Sequence, residues 1–179
     1  FSQLSTQECF KYEPALEHVK EKIVGGLHLP GDETGDCFKF TTALAKECEK
    51  LGVTFMMNTN IHHLNHHNGK IISVNTDKGD IIADNYLVAL GSYSTQMLKS
   101  LDMNLPVYPI KGYSLTLPIE DESCAPVSTV MDETYKIAVT RFNDRIRVGG
   151  TAEIASYNLE LKNKRRDNVE FVINDLFPG

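Results

Sequence analysis

The sequence contains no G-x-G-x-x-G turn, no G-x-x-x-x-G-K-[ST] loop and no G-x-S-x-G elbow. The first absence excludes the usual backbone cradle for a dinucleotide pyrophosphate within these residues, and the other two exclude a P-loop nucleotide site and a strand–turn–helix hydrolase. No apolar run approaches the roughly 18 residues that cross a bilayer, and the opening residues Phe1 to Thr6 lack a basic segment followed by an apolar one. Neither a signal peptide nor an anchor is therefore expected. Phe1 stands where an initiator Met would, which leads to the expectation of an internal piece of a longer protein. Positive charge is also scarce: the net charge is −6, and a nucleic-acid surface needs clustered cations to displace counterions from phosphates. The one basic cluster, Lys162, Lys164, Arg165 and Arg166, reads as a solvated helix face. The four cysteines, Cys9, Cys37, Cys48 and Cys124, show no zinc or redox-dithiol spacing and read as reduced thiols of a cytosolic protein.

The 179 residues suffice for one compact domain or two small lobes, and 41% apolar composition supplies a core. Phe40, Ala43, Leu44, Cys48 and Leu51 recur at helical spacing, and Gly52 follows as a C-terminal stop, so residues 40–51 read as a helix. Residues 53–57 alternate as a strand, the pair Asn68-Gly69 marks a hairpin turn before residues 71–74, and residues 81–83 add a third strand of a small meander. Residues 86–90 form a continuous apolar run ending at Gly91, the pattern of a strand buried on both faces. Further strands are expected at residues 111–117, 127–131, 136–140 and 145–148, with a turn at 142–144, and a helix is expected at 168–176.

Several side-chain groups invite chemistry that their context weakens. His62, His63, His66 and His67 suggest a zinc pair, but Asn68-Gly69 places them in an extended hairpin, where positions four apart lie about 13 Å from one another. Bonds of about 2.0–2.1 Å from one zinc cannot bridge that gap, and no metal is expected. Asp32, Glu33 and Asp36 are interleaved with Pro30, Gly31 and Gly35 and read as a turn joining two lobes. Ser92 and Ser94 have no recognisable His/Asp partners. Arg141 is a candidate carboxylate ligand, with a surface ladder alongside Arg145 and Arg147 as the simpler account.

Four stretches together carry a resemblance: residues 26–37 (GLHLPGDETGDC), residues 89–94 (ALGSYS), residues 107–115 (VYPIKGYSL) and residues 131–142 (MDETYKIAVTRF). They resemble the D-amino-acid dehydrogenases of the FAD-dependent D-amino-acid oxidase/glycine oxidase-like family, in order and across nearly the whole chain. The resemblance implies a central slice of such an enzyme, because the Gly-rich loop and a C-terminal Gly-Leu-Arg-Pro segment of that family are both missing here. It implies an α+β fold with residues 37–94 in the FAD-binding lobe and residues 1–36 and 95–179 in an antiparallel substrate-binding lobe. Ile61, Gly91 and Ser92 would touch the cofactor. Tyr135, Ile137, Thr151 and Ala152 would line the substrate side, and Lys111 would place a cation near flavin or substrate. Tyr135 and Ile137 share parity and are expected to face one cavity.

The activity so implied is oxidation of D-amino acids, D-alanine above all, to 2-oxo acids and ammonia. Electrons would pass to a respiratory acceptor such as a quinone, implying peripheral association with the cytoplasmic face of the inner membrane. The isolated chain is expected to be inactive and to bind FAD weakly or not at all. Its exposed apolar surface at residues 86–90 is expected to favour dimerisation. A glycine or sarcosine oxidase that uses oxygen is the nearest enzymatic alternative, and a non-catalytic binding module is the alternative from another class.

Overall fold

The computed structural model describes all residues, 1–179. Along the chain run β1 (Ser2–Leu4), α1 (Thr6–Tyr12), a 3₁₀ segment (Pro14–Lys22), β2 (Gly26–His28), α2 (Cys37–Lys50), β3 (Ile61–His67), β4 (Lys70–Thr76) and β5 (Gly79–Ile81). They are followed by α3 (Ser94–Lys99), β6 (Lys111–Pro118), β7 (Thr129–Asp132), β8 (Ile137–Phe142), β9 (Arg145–Glu153) and α4 (Asn163–Leu176). The fold is α+β, and the chain divides into two compact units, Phe1–Phe40 with Ile110–Gly179, and Thr41–Pro109.

The first unit is built on an antiparallel sheet of order β6-β9-β8-β7. Alternation sends Tyr113, Ile137, Val139, Ile146 and Val148 to one face, where all are buried. α4 covers that face with Val169, Val172, Ile173 and Leu176, the i, i+3, i+4, i+7 spacing of a single helical stripe. The 3₁₀ segment adds Ala15, Leu16 and Val19 to the same core. Each buried Val, Leu or Ile side chain among them contributes about 1.5–3 kcal/mol by leaving water. Gly150 is required by closeness: a Cβ there would lie 2.6 Å from Ile137 Cγ1 and 2.8 Å from the Lys136 carbonyl. The buried Glu13 carboxylate accepts the Val127 and Ser128 backbone N–H groups at 2.9 and 2.8 Å, and also the Ser128 hydroxyl, fastening the 3₁₀ segment to the approach to β7.

The expected strands and C-terminal helix of this unit are all present, although α4 begins at Asn163 rather than 168. The short β1–β2 pair and α1 carried no signal strong enough to be expected. Arg141 is tied to Glu122 at 2.7 Å and donates to the Asn143 carbonyl at 3.0 Å, and Arg145 is paired with Asp36. Asp36 also accepts the Lys39 N–H at 3.0 Å, so it works as a helix-start turn residue.

The second unit contains the meander β3-β4-β5. Asn68 and Gly69 both have positive φ (48° and 73°), the requirement of the tight hairpin that the pair announces. The four histidines lie along β3, extended as that hairpin dictates. α2 ends as expected at Gly52, whose φ of 92° lets the Val53 N–H return to the Cys48 carbonyl at 3.0 Å.

Two expectations fail in this unit. Residues 53–57 are not a strand, so the meander begins at β3 instead. Residues 86–90 do not form a strand, while Leu87 at 91% exposure provides the exposed apolar surface expected of this run. A strand exists only in a ladder, and no strand of this chain pairs with either run.

Candidate functional site

The chemistry of the first unit concentrates where β6 begins and β9 ends. Register places Lys111 opposite Glu153, Gly112 opposite Ala152, and Tyr113 opposite Gly150, so Thr151 has no partner and forms a bulge. Thr151 sits at φ 61°, a left-handed conformation that a β-branched residue rarely adopts. Such strain persists only where the surroundings enforce it.

Around this bulge four side chains form one polar cluster, in which Glu153 and Tyr113 are buried, Lys111 is nearly so and Lys162 is exposed. Glu153, 7% exposed, is its centre. The Tyr113 hydroxyl donates to Glu153 Oε2 at 2.7 Å and accepts the Lys162 backbone N–H at 3.2 Å. Lys111 Nζ lies 3.3 Å from Glu153 Oε2 and donates to the Glu160 carbonyl at 2.6 Å, while Lys162 Nζ is paired with Glu153 Oε1. The Glu153 carboxyl is held at a pKa of about 2, through the Lys162 hydrogen bond first, then that of Tyr113, with Lys111 adding to them against the opposing effect of burial. Glu153 is therefore a permanent anion at neutral pH, and it commits Lys111 to the cluster rather than to open solvent.

The opposite face of the sheet is not covered by α4. Ser114, Gly149, Ala138 and Met131 lie in one row across the four strands, and Thr116, Arg147, Thr140 and Thr129 in the next. Arg147 donates to the Thr116 hydroxyl at 2.6 Å. A cavity of about 340 Å³ runs beside β6 at the first turn of α4, with Ser114, Leu115, Leu161, Asn163 and Arg166 in its wall.

The expected site residues are distributed unevenly over this geometry. Thr151 and Ala152 form the bulge, and Lys111 joins the polar cluster next to it. Tyr135 and Ile137 do not face an open cavity from one strand. Tyr135 lies in the turn before β8 with its ring edge-on to Phe171 of α4 at 5.4 Å, and Ile137 is 1% exposed in the core. The expected strand parity does not hold, because Tyr135 lies in the turn and Lys136 at φ 57° interrupts the extended run before Ile137. In the second unit, Ile61 opens β3 opposite Thr76 and is 45% exposed. Gly91 adopts φ 55° with open space where a Cβ would lie, and Ser92 follows it in a 3₁₀ turn that leads into α3. Glu153 and Lys162 were missed as site residues because contacts invisible in a linear pattern bring them to Tyr113 and Lys111: cross-strand register for Glu153, and the return of the chain into α4 for Lys162.

A family model described as FAD dependent oxidoreductase matches residues 2–179. The D-amino acid dehydrogenase of Vibrio vulnificus is 53% identical over 178 residues, covering 99% of this chain and 43% of that protein. That of Rhizobium johnstonii is 56% identical over 179 residues, covering 100% of this chain and 43% of that protein. The chain thus spans less than half the length of the curated relatives it matches. Among solved structures, glycine oxidase from Bacillus cereus superposes with a TM-score of 0.83 at 20% identity, over 99% of this chain and 48% of that one. L-proline dehydrogenase from P. horikoshii gives 0.81 at 20% identity, with the same coverage. These two establish the fold alone.

The residues present do not supply an anchorage for FAD. Gly91 leaves space at the head of α3, yet α3 has six residues, and no helix of the chain follows a Gly-rich phosphate turn.

Proposed function

Because the chain belongs to the FAD-dependent oxidoreductase family, and its 53–56% identity to D-amino acid dehydrogenases runs the full length of the chain, we propose that it is a segment of such a dehydrogenase. The identity along every element, rather than any single side chain, carries this reading. The parent enzyme oxidises D-amino acids, D-alanine foremost, to 2-oxo acids and ammonia, with FAD as the cofactor that would supply the redox chemistry. Electrons leave for a respiratory acceptor such as a quinone, and the enzyme associates peripherally with the membrane that holds it. No helix here is long and apolar enough to cross a membrane.

In this reading residues 1–36 and 95–179 contribute to the substrate side and residues 37–94 to the cofactor side. Thr151 and Ala152 present backbone at the bulge. Lys111, Tyr113, Glu153 and Lys162 keep that bulge rigid, and the row of small residues beside it leaves room for a planar group. Tyr135 and Ile137 support the sheet from beneath, while Ile61, Gly91 and Ser92 border the cofactor. The test is dye-coupled oxidation of D-alanine by the full-length parent, with L-alanine, glycine and sarcosine as comparators and a flavin absorbance spectrum alongside. Turnover confined to D-amino acids by a yellow protein is expected. Oxygen-dependent turnover of glycine or sarcosine would replace this reading with an oxidase, and a colourless, inactive parent would replace it with a binding module.

A further inference from the structure

The basic cluster Lys162, Lys164, Arg165 and Arg166 stands out against a net charge of −6, and helix formation does not explain it. It falls at the start of α4, whose first turn holds no acidic residue, although the macrodipole there favours anions and opposes cations. Lys162 is paired with Glu153, and Arg166 with Asp167 and Glu170 at 4.0 and 3.0 Å, but Lys164 and Arg165 enter no ion pair. Immediately upstream, Ile154, Leu159 and Leu161 are 77%, 76% and 71% exposed. The chain reverses between them in a turn closed by the Asn158 N–H on the Ala155 carbonyl at 3.1 Å. Its backbone is fastened from the inner side, where Lys111 donates to the Glu160 carbonyl and the Tyr113 hydroxyl accepts the Lys162 N–H. Leu161 and Arg166 share one cavity wall, so apolar and cationic side chains are contiguous. Polypeptide folding over this segment would have to bury its cations, at high cost.

We propose that residues 154–166 are the segment through which the parent enzyme docks on an anionic phospholipid bilayer. Ile154, Leu159 and Leu161 enter the boundary of the acyl region, and the cations lie among the phosphate headgroups. This assignment rests on the peripheral association proposed above and gives it a location. Nucleic acid would engage the cations and leave the leucines in water. A second copy would set cluster against cluster, like charge against like. A specific protein interface takes about 800 Å² of complementary surface from each partner, which three side chains around one turn do not supply. A fluid interface accepts single side chains and lets long cations reach its headgroups.

The experiment is co-sedimentation of the full-length parent with vesicles of phosphatidylglycerol and phosphatidylcholine in equal parts, and with pure phosphatidylcholine, alongside dye-coupled turnover of D-alanine without lipid. Partition onto the anionic vesicles only is expected. At about fivefold per cation near an anionic surface, Lys164→Glu/Arg165→Glu should lower that partition by about 25-fold or more. Leu159→Ser should lower it by roughly tenfold, and both variants should keep wild-type turnover in solution. Lys46→Glu/Lys50→Glu, the same change of net charge on α2, should leave partition within about twofold. Equal partition onto both vesicle types, binding that survives Lys164→Glu/Arg165→Glu, or an equal loss in the α2 variant would each overturn the assignment. Loss on charge reversal with none in Leu159→Ser would overturn it in favour of a polyanion such as nucleic acid or an acidic protein. A parent that oxidises D-alanine but ignores vesicles sinks the docking segment and leaves the dehydrogenase reading intact. A colourless, inactive parent that binds vesicles through these residues supports the segment and removes the dehydrogenase.

Discussion

Glu153 gives the sharpest prediction at the scale of single residues. Its carboxyl titrates at about 2 in the folded chain against an ordinary 4.5, so its contribution to stability is complete above pH 5 and is lost as pH falls from there towards 2. Urea midpoints measured from pH 7 to pH 2.5 should fall more steeply for the wild-type chain than for Glu153→Gln, and the variant should be the less stable of the two at pH 7. Parallel curves would remove Glu153 from the cluster. Gly150→Ala should cost about 1–3 kcal/mol by overpacking against Ile137, read from the same midpoints at neutral pH. Neither role was legible from the sequence. The glycine could be seen, but not the Ile137 side chain that forbids a methyl there. Lys111 could be seen, but not the carboxylate 42 positions later that claims it.

The elements themselves were largely written in local pattern. The stripe Val169, Val172, Ile173, Leu176 gives α4 both its existence and its buried face, so Leu176→Ala should destabilise the first unit by roughly 2–5 kcal/mol. The helix signal of Phe40, Ala43, Leu44, Cys48 and Leu51 was equally periodic, yet α2 buries none of its residues. Periodicity tells which face wants cover, and only the rest of the structure tells whether cover exists. Residues 86–90 show the same limit for strands: an apolar run predicts demand for a ladder and cannot supply the neighbouring strand. By contrast, the Asn68-Gly69 hairpin needed no distant partner. Gly69→Ala, at φ 73°, should therefore cost about 1 kcal/mol in chemical denaturation.

At the scale of the whole molecule, the two units are unequal. The hydrophobic core lies entirely in the unit formed by Phe1–Phe40 and Ile110–Gly179, and the other unit relies on a three-stranded meander with one buried leucine. Two unfolding transitions are expected in the isolated chain: residues 41–109 should lose amide protection at lower denaturant than α4 and the β6–β9 sheet. A single coincident transition followed through both units would contradict this. Titration of the isolated chain with FAD should leave the flavin's absorbance and fluorescence as in free solution, since no phosphate cradle is present. The family was legible because identity is spread over every element, whereas the placement of a site depends on register, bulges and contacts that no linear stretch encodes.

The uncovered face of the β6–β9 sheet has a property defined by subtraction. Across Ser114, Gly149 and Ala138 there is so little side chain that the peptide plane itself forms the floor, and a Cβ at Gly149 would meet only Ser114 Cβ, at 3.8 Å. Alanine scanning, which works by removing atoms, is blind to such a surface, since it would find every position there tolerant. Adding atoms one at a time, Gly149→Ala and then Gly149→Val, should leave folding intact while raising that floor. Anything that must lie flat against the sheet in the parent enzyme would register the added height as steric exclusion.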